Sequence, residues 1–283
     1  MERSSCSAFP MSKSREETVS ELEWLATLRS KDLVVPEAVL NREGAFVTDT
    51  STGGGQRYYA TLLRWIEGEH LDKRVLKVES IRKMGTLMTQ LHEASSDFCP
   101  YKGFTRSSWG RESFQRDWEH LQSHYRHFIS DEAFELYTTA AAKVASHLER
   151  LEPDGSNYGM IHADLHNGNV VFRNDEPYAI DSGRCGFGYH LYDMAQSIMG
   201  LLPPQRELFI KGYEQIRKMD ENFIPKLECF FIMSIIEAYS FHAEIALETE
   251  GLIEEQPYAQ AILRAYMNGV PFMFQPLDEI ILS

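Results

Sequence analysis

Cysteine is scarce in this chain. Cys6, Cys99, Cys185 and Cys229 are the 4 cysteines among 283 residues, and they are far apart with no Cys-x-x-Cys pair. That excludes a disulfide framework or a zinc knuckle and points to a reducing compartment. Basic side chains are also in deficit, with 28 Lys and Arg against 42 Asp and Glu and a formal net charge of -14. Sequence-independent nucleic-acid binding needs clustered cations to neutralise phosphates, so nucleic acid is excluded as the expected partner. No long hydrophobic run exists: the stretch from Cys229 to Ile236 is interrupted by Ser234 and is far too short to span a bilayer. No apolar leader follows Met1, and the chain reads as soluble and cytoplasmic with no membrane partner. Repeats and low-complexity linkers are missing as well. With 43% hydrophobic and 12% aromatic residues, there is ample material for a buried core in one large domain or two small ones.

Hydrophobic periodicity organises the chain. Val19, Leu22, Leu25 and Leu28 recur at helical spacing between Ser14 and Arg29, with Glu16, Glu17 and Glu21 in the early turns. After Pro36, Ala45 to Thr48 and Arg57 to Ile66 read as two strands of a hairpin around Gly53, Gly54 and Gly55. Past Glu67-Gly68-Glu69 the texture becomes helical, over Ser80 to Ala94, Phe114 to Phe128 and Phe134 to Leu151. A small hairpin interrupts it at Asn169 to Arg173 and Pro177 to Asp181. Helical patterns resume through Leu191 to Leu202, Glu207 to Met219, Phe223 to Ala246 and Tyr258 to Met267.

The chemistry concentrates around that small hairpin. His162-Ala163-Asp164-Leu165-His166-Asn167-Gly168-Asn169 precedes it and Asp181-Ser182-Gly183-Arg184 follows it. A carboxylate on a loop, as at Asp164, can accept a proton from an attacking hydroxyl. Asn169 and Asp181, at opposite ends of the hairpin, can offer hard oxygens to Mg2+, which keeps its remaining positions for waters and phosphates. A base that orients a nucleophile beside a cation that neutralises phosphate charge is the layout of phosphoryl transfer. Reading His162, Asp164 and His166 as zinc ligands leaves Asn169 and Asp181 unexplained, and no further His cluster supplies the missing ligands.

His-x-Asp-x-x-x-x-Asn, strand, turn, strand and Asp-x-Gly follow the order and spacing of kinase-like catalytic and metal-binding loops. With Ile180-Asp181-Ser182-Gly183-Arg184-Cys185-Gly186, Tyr192-Asp193-Met194-Ala195, Leu63-Arg64-Trp65-Ile66-Glu67-Gly68 and Leu91-His92-Glu93, the chain resembles the aminoglycoside phosphotransferase and choline kinase superfamily over most of its length. The resemblance implies an α+β, protein-kinase-like fold, with residues 1–68 as a partial N-terminal lobe of helix, hairpin and hinge, and residues 69–283 as a helical C-terminal lobe. It implies Asp164 as catalytic base, Asn169 and Asp181 as magnesium ligands, His162 as a brace of the loop and Asp193 as its buried partner. The hinge residues Leu63, Arg64, Trp65 and Ile66 would lie against the adenine of ATP. The implied reaction moves the γ-phosphoryl of ATP, with Mg2+, to a hydroxyl of a small molecule, with amine-bearing acceptors that are aminoglycoside-, choline- or homoserine-like among the alternatives it leaves open.

One departure from that family stands out. There, a glycine-rich hairpin and a strand carrying a lysine precede the helix that begins here near Ser14, and the residues before Ser14 leave no room for both. Lys13 adjoins the helix itself, so Glu21, which the resemblance makes the lysine's partner, is expected to lack one. Two alternatives to a working kinase follow: an impaired pseudokinase that serves as a binding module, or a chain whose missing strands lie upstream of Met1. Gly53 to Gly55 reads as a turn, His92 as a packed histidine, and the acidic stretch Glu244, Glu248, Glu250, Glu254 and Glu255 as a solvated face with amine recognition as its alternative.

Overall fold

The computed structural model describes residues 4–9, 14–51 and 57–276. Lys13 and the turn Gly53 to Gly55 lie outside the described residues. The first sheet is built on one long strand, β4 (Arg57–Arg64). Along one edge, β1 (Ser4–Phe9) runs antiparallel to it, with Ser4 opposite Arg64 and Phe9 opposite Tyr59. Along the other edge lie β2 (Ala38–Val39), which pairs with Leu63 and Leu62, and β3 (Val47–Ser51), which pairs with Thr61 to Arg57. One strand therefore precedes the first helix, where a glycine-rich hairpin and a lysine-bearing strand are not expected to fit together. Its sequence, Ser-Ser-Cys-Ser-Ala-Phe, contains no lysine.

Helix α1 (Arg15–Ser30) starts on a capping box: Ser14 Oγ accepts from the Glu17 amide at 3.0 Å while the Glu17 carboxylate accepts from the Ser14 amide at 2.7 Å. Trp24, fully buried, pins α1 to α2 (Val78–Ser95) by donating its indole N–H to Ser95 Oγ at 3.0 Å. Complete burial of such a side chain stabilises the fold by about 2–3 kcal/mol. Between β4 and α2 the extended chain runs past Gly68, where an added Cβ would stand 2.9 Å from Val171 Cβ. This close approach lets Glu69 and Phe172 exchange backbone hydrogen bonds of 2.9 Å each, tying the link between the sheet and the helices to the hairpin below it.

The remaining mass is helical: α3 (Arg111–His124), α4 (Asp131–Leu148), α5 (His190–Met199), α6 (Pro203–Tyr213), α7 (Phe223–His242) and α8 (Thr249–Asn268). Helix α7 is apolar on nearly every side, with Leu227, Phe230, Ile232, Met233 and Ile236 fully buried, so it forms the axis against which α3, α4 and α5 pack. Gly85 of α2 and Gly212 of α6 each face the partner's backbone, which brings these two helices into their close crossing. Three short strands close the site from below: β5 (Ser107–Trp109) parallel to β9 (Gly186–Tyr189), and β6 (Tyr158–Ile161) antiparallel to it. The hairpin of β7 (Val170–Arg173) and β8 (Glu176–Ala179) projects beside them. No helix among the described residues is long and apolar enough to cross a membrane.

Candidate active site

The loop between β6 and β7 carries His162, Asp164 and Asn169, and its shape is set by one buried carboxylate. Asp193, fully buried on α5, accepts from the backbone amides of His162 at 3.1 Å and Ala163 at 2.8 Å. The same carboxylate meets His92 Nε2 at 2.9 Å, while His92 Nδ1 lies 2.9 Å from the Tyr213 hydroxyl. These bonds hold Ala163 at φ 61°, a left-handed turn that costs an alanine of order 1 kcal/mol and turns the chain so that Asp164 leaves the core. His92 is a packed residue inside this network, stacked on His190 at 4.3 Å. His162 is buried and bonds the Ile180 carbonyl through Nε2 at 3.1 Å, which ties the loop to the far end of the hairpin.

Asn169 turns its side-chain amide toward Asp164, donating to the backbone carbonyl at 2.9 Å and to Oδ2 at 3.0 Å. The backbone carbonyl of Asn169 accepts from the Ile180 amide at 2.9 Å, so the two ends of the hairpin are in register. Asp181 follows in a left-handed conformation, φ 55° and ψ 64°, which leaves it exposed. The Asp164 carboxyl is raised above the ordinary range, first by burial and also by Asp181; Arg184, His166 and His162 pull it back. His166 Nδ1 accepts from the Gly168 amide at 3.0 Å, and its Nε2 stands 3.8 Å from Asp164 Oδ1.

Glu21 corrects the sequence expectation of a residue without a partner. It is buried, accepts from Ser182 Oγ at 2.8 Å, and lies 3.7 Å from the guanidinium of Arg106. Arg106 in turn donates to the carbonyls of Gly183 at 2.7 Å, Cys185 at 2.6 Å and Glu17 at 3.2 Å. Helix α1 is thus fastened to the loop after Asp181 by a cation from the strand side of the helical body. Leu63 and Arg64 end β4, with the Arg64 amide bonded to the Glu37 carbonyl at 2.8 Å and its guanidinium paired with the Glu37 carboxylate at 3.0 Å. Trp65 and Ile66 continue as extended chain, and Trp65 is exposed.

Several groups at this site carry no contiguous motif. Arg184 stacks over Trp109, 4.5 Å from the ring centroid, and pairs with Glu237 of α7. Glu237 also accepts from Gln196 at 2.9 Å and from the Tyr192 hydroxyl. Asp117 of α3 belongs to the same electrostatic cluster: burial and the nearby Glu237 push its carboxyl up to about 7, against the pull of Arg184, Arg116 and His120. A signal existed for Glu237, because a lone acid within the apolar stretch Cys229 to Tyr239 needs a partner. Arg106 and Asp117 sit in unremarkable polar contexts and gave none.

An α+β fold with a small sheet, an extended link, a helical body and this pair of loops around one hairpin defines a kinase-like class. The family model described as the phosphotransferase enzyme family matches residues 8–221, and the chain belongs to that family. Amicoumacin kinase of Bacillus subtilis (strain 168) is 21% identical over 275 residues, covering 92% of this chain and 79% of that protein. Among solved structures, a microcompartment-associated aminopropanol kinase superposes with a TM-score of 0.83 at 22% identity, over 95% of this chain and 87% of the other. The amicoumacin kinase hAmiN in complex with AMP-PNP, Ca2+ and Ami gives a TM-score of 0.76 at 14% identity, covering 98% of this chain and 84% of the other. At these identities the solved structures share the fold. Family and fold are those expected from the loop motifs.

Proposed function

We propose that this chain transfers the γ-phosphoryl group of ATP to a hydroxyl of a small, amine-bearing molecule. The observation that carries the reading is the convergence of Asp164, Asn169 and Asp181 on one hairpin, with Asn169 bonded to Asp164 and in backbone register with Ile180. Asp164 is the base: partly buried, with its carboxyl raised, it has more basicity to receive the hydroxyl proton than an ordinary aspartate and stays in reach of solvent. Asn169 and Asp181 fit magnesium as a donor set of hard oxygens, since the amide nitrogen of Asn169 is committed to Asp164 and its Oδ1 is the atom it offers to a cation. When bound, the ion neutralises phosphate charge. Leu63, Arg64, Trp65 and Ile66 form the wall along which the adenine is placed. Residues 1–68 and 69–283 are the two lobes between which the nucleotide enters.

The amine enters the reading through Asp117 and Glu237, two carboxyls that share one guanidinium, Arg184. An acceptor carrying an ammonium group gains charge pairing there, whereas a neutral alcohol does not. The sequence of β1, free of lysine, favours a second reading in which the chain binds nucleotide without turning it over. Phosphoryl transfer from ATP and Mg2+ to a panel of amino alcohols tests the first reading. Asp164→Asn is expected to lose turnover by at least about 10²-fold with its thermal stability preserved. Asp181→Ala is expected to lose magnesium-dependent nucleotide binding by calorimetry. Turnover near wild type in Asp164→Asn sinks the mechanism, and nucleotide binding with no transfer to any acceptor favours the second reading.

A further inference from the structure

Away from the catalytic loops, α3 and the corner between α7 and α8 bring together His120, His124 and Glu244. The two histidines are four apart on α3 and share a face, their ring centroids 4.4 Å apart. Glu244, just beyond α7, reaches between them: Oε2 is 3.1 Å from His120 Nε2 and Oε1 is 3.3 Å from His124 Nε2. Glu244 thereby leaves the solvated acidic stretch to which its sequence neighbours belong.

The other ring nitrogens define what these contacts mean. His120 Nδ1 lies 3.0 Å from the Ser240 carbonyl oxygen and 3.2 Å from Ser240 Oγ, and His124 Nδ1 lies 2.9 Å from the His120 carbonyl oxygen. A carbonyl oxygen only accepts, so each Nδ1 carries the proton, and in the neutral ring each Nε2 keeps its lone pair. Those lone pairs face a carboxylate, which also only accepts. Such a triad repels itself unless the rings take up a second proton or a metal cation lies within it. A backbone bond that fixes the protonated nitrogen of an imidazole is also what orients a histidine toward a metal.

We propose that His120, His124 and Glu244 form a binding site for one divalent transition-metal ion of the zinc type, through the two Nε2 atoms and the Glu244 carboxylate. The spacing suits the ion. Zinc–nitrogen bonds of about 2.0–2.1 Å in a tetrahedron separate neighbouring ligand atoms by about 3.3–3.4 Å, and each Nε2 already stands near that separation from one carboxylate oxygen, His120 at 3.1 Å from Oε2 and His124 at 3.3 Å from Oε1. Among the described residues, this is the group of three His, Cys, Asp or Glu side chains whose ligand atoms all lie within 4.8 Å of one another. The donor set differs in kind from Asn169 and Asp181: two imidazoles and a carboxylate select zinc, nickel or copper, whereas amide and carboxylate oxygens select magnesium. All three side chains reach solvent, at 38%, 26% and 63% exposure, so the ion has an entry path and room for a water as fourth ligand. Bound there, it cross-links α3 to the end of α7, one helical turn from Asp117.

The test is calorimetric titration of the full-length, metal-stripped protein with zinc in the presence of millimolar magnesium. One zinc per chain is expected, with a rise in melting temperature of several degrees, since the ion binds only the folded arrangement. Cobalt substituted for zinc is expected to show the intense visible bands of a tetrahedral site. Changing groups that merely orient a ligand costs about 10–100-fold in metal affinity, so removing a ligand outright in His124→Gln or Glu244→Gln is expected to cost about 100-fold or more. Asp181→Ala, which removes only the magnesium side, is expected to bind zinc as the wild type does. Absence of zinc uptake up to about 0.1 mM, unchanged affinity in His124→Gln and Glu244→Gln that remain folded by circular dichroism, or loss of the site in Asp181→Ala would each overturn the proposal. In the first case the contacts are imidazolium–carboxylate ion pairs.

Discussion

Replacing Arg106 by methionine isolates the contact that joins helix α1 to the loop after Asp181. The guanidinium and the Glu21 carboxylate are 3% and 5% exposed and 3.7 Å apart, with further bonds from Arg106 to the carbonyls of Gly183, Cys185 and Glu17. At that separation, an effective dielectric constant of about 20 gives roughly 4–5 kcal/mol of attraction, most of which offsets the cost of burying both charges. Methionine fills the same channel without charge, so what remains is a buried carboxylate with a lost counter-charge and carbonyls that lose a donor. The expected loss is about 3–5 kcal/mol of unfolding free energy, measured by urea denaturation. Adding Glu21→Gln should recover part of it, because a buried charge that has lost Arg106 is then removed, and a coupling of about 1–3 kcal/mol should appear in the double-mutant cycle. Because Arg106 holds two carbonyls of the Asp181 loop, the single variant should also raise the KM for MgATP more than it lowers kcat. A loss below about 1 kcal/mol, or additivity of the two changes, refutes the claim that this ion pair fastens the helix.

Two further outcomes concern titration. His190 is buried, and burial together with His92 and Arg217 pushes its pKa down to about 2. The folded chain therefore stays unprotonated there while the unfolded chain takes up a proton below about pH 6.5, so stability falls with pH by about 1.4 kcal/mol per unit, or about 2 kcal/mol between pH 6.5 and 5. Urea midpoints at both values should show this slope in the wild type and lose most of it in His190→Asn. Asp117, with its carboxyl raised to about 7 by burial and Glu237, ionises only as pH passes neutrality. The KM for a quaternary-ammonium acceptor, whose charge does not titrate, should fall as pH rises through that range and become flat in Asp117→Asn; a flat profile in the wild type removes Asp117 from the acceptor site.

The parts legible in sequence are those whose cause is local. Helices α1 to α7 announce themselves by apolar spacing, and Ser14 with Glu17 marks where α1 starts. The hairpin of β7 and β8 is flanked by the motif residues themselves. Structure imposed from a distance was hidden. Strand β1 has three serines and only the small Cys6 and Ala8 alternating with them, with no β-branched residue to mark it; it exists because β4 offers an edge. Strand β9 begins Gly-Phe-Gly and resembles a loop, yet Gly186 and Gly188 are small because the Ser107 backbone and the Ile161 and Trp109 side chains fill the space a Cβ would need. Helix α8 starts at Thr249, well before the expected Tyr258, since its acidic first turns and Pro257 mask a helix whose Leu252 and Gln256 are buried. The same division holds at the site. Asp164, Asn169 and Asp181 are close in sequence and form one legible motif, while Arg106, Asp117 and Glu237 are joined to them only by folding.

That division bears on how acceptor choice is encoded. Around Arg184 stand three acids from three elements: Asp164 of the loop between β6 and β7, Glu237 of α7 and Asp117 of α3. One guanidinium cannot compensate three carboxylates withdrawn from water, and the surplus emerges as a proton retained on Asp117, pushed up to about 7, and as an Asp164 carboxyl raised above the ordinary range, both mainly by burial. An acceptor that brings its own cation removes the surplus and lets Asp117 ionise, so its ammonium group and that proton compete for one place. A neutral acceptor of the same shape leaves the proton where it is and gains nothing from the acids. Binding of an amine-bearing acceptor below neutrality should therefore release a proton into the buffer, detectable as a dependence of binding enthalpy on the buffer's ionisation enthalpy. The deoxygenated amine, which lacks the hydroxyl to be phosphorylated, should release it equally, because the exchange depends on charge and not on the reacting oxygen.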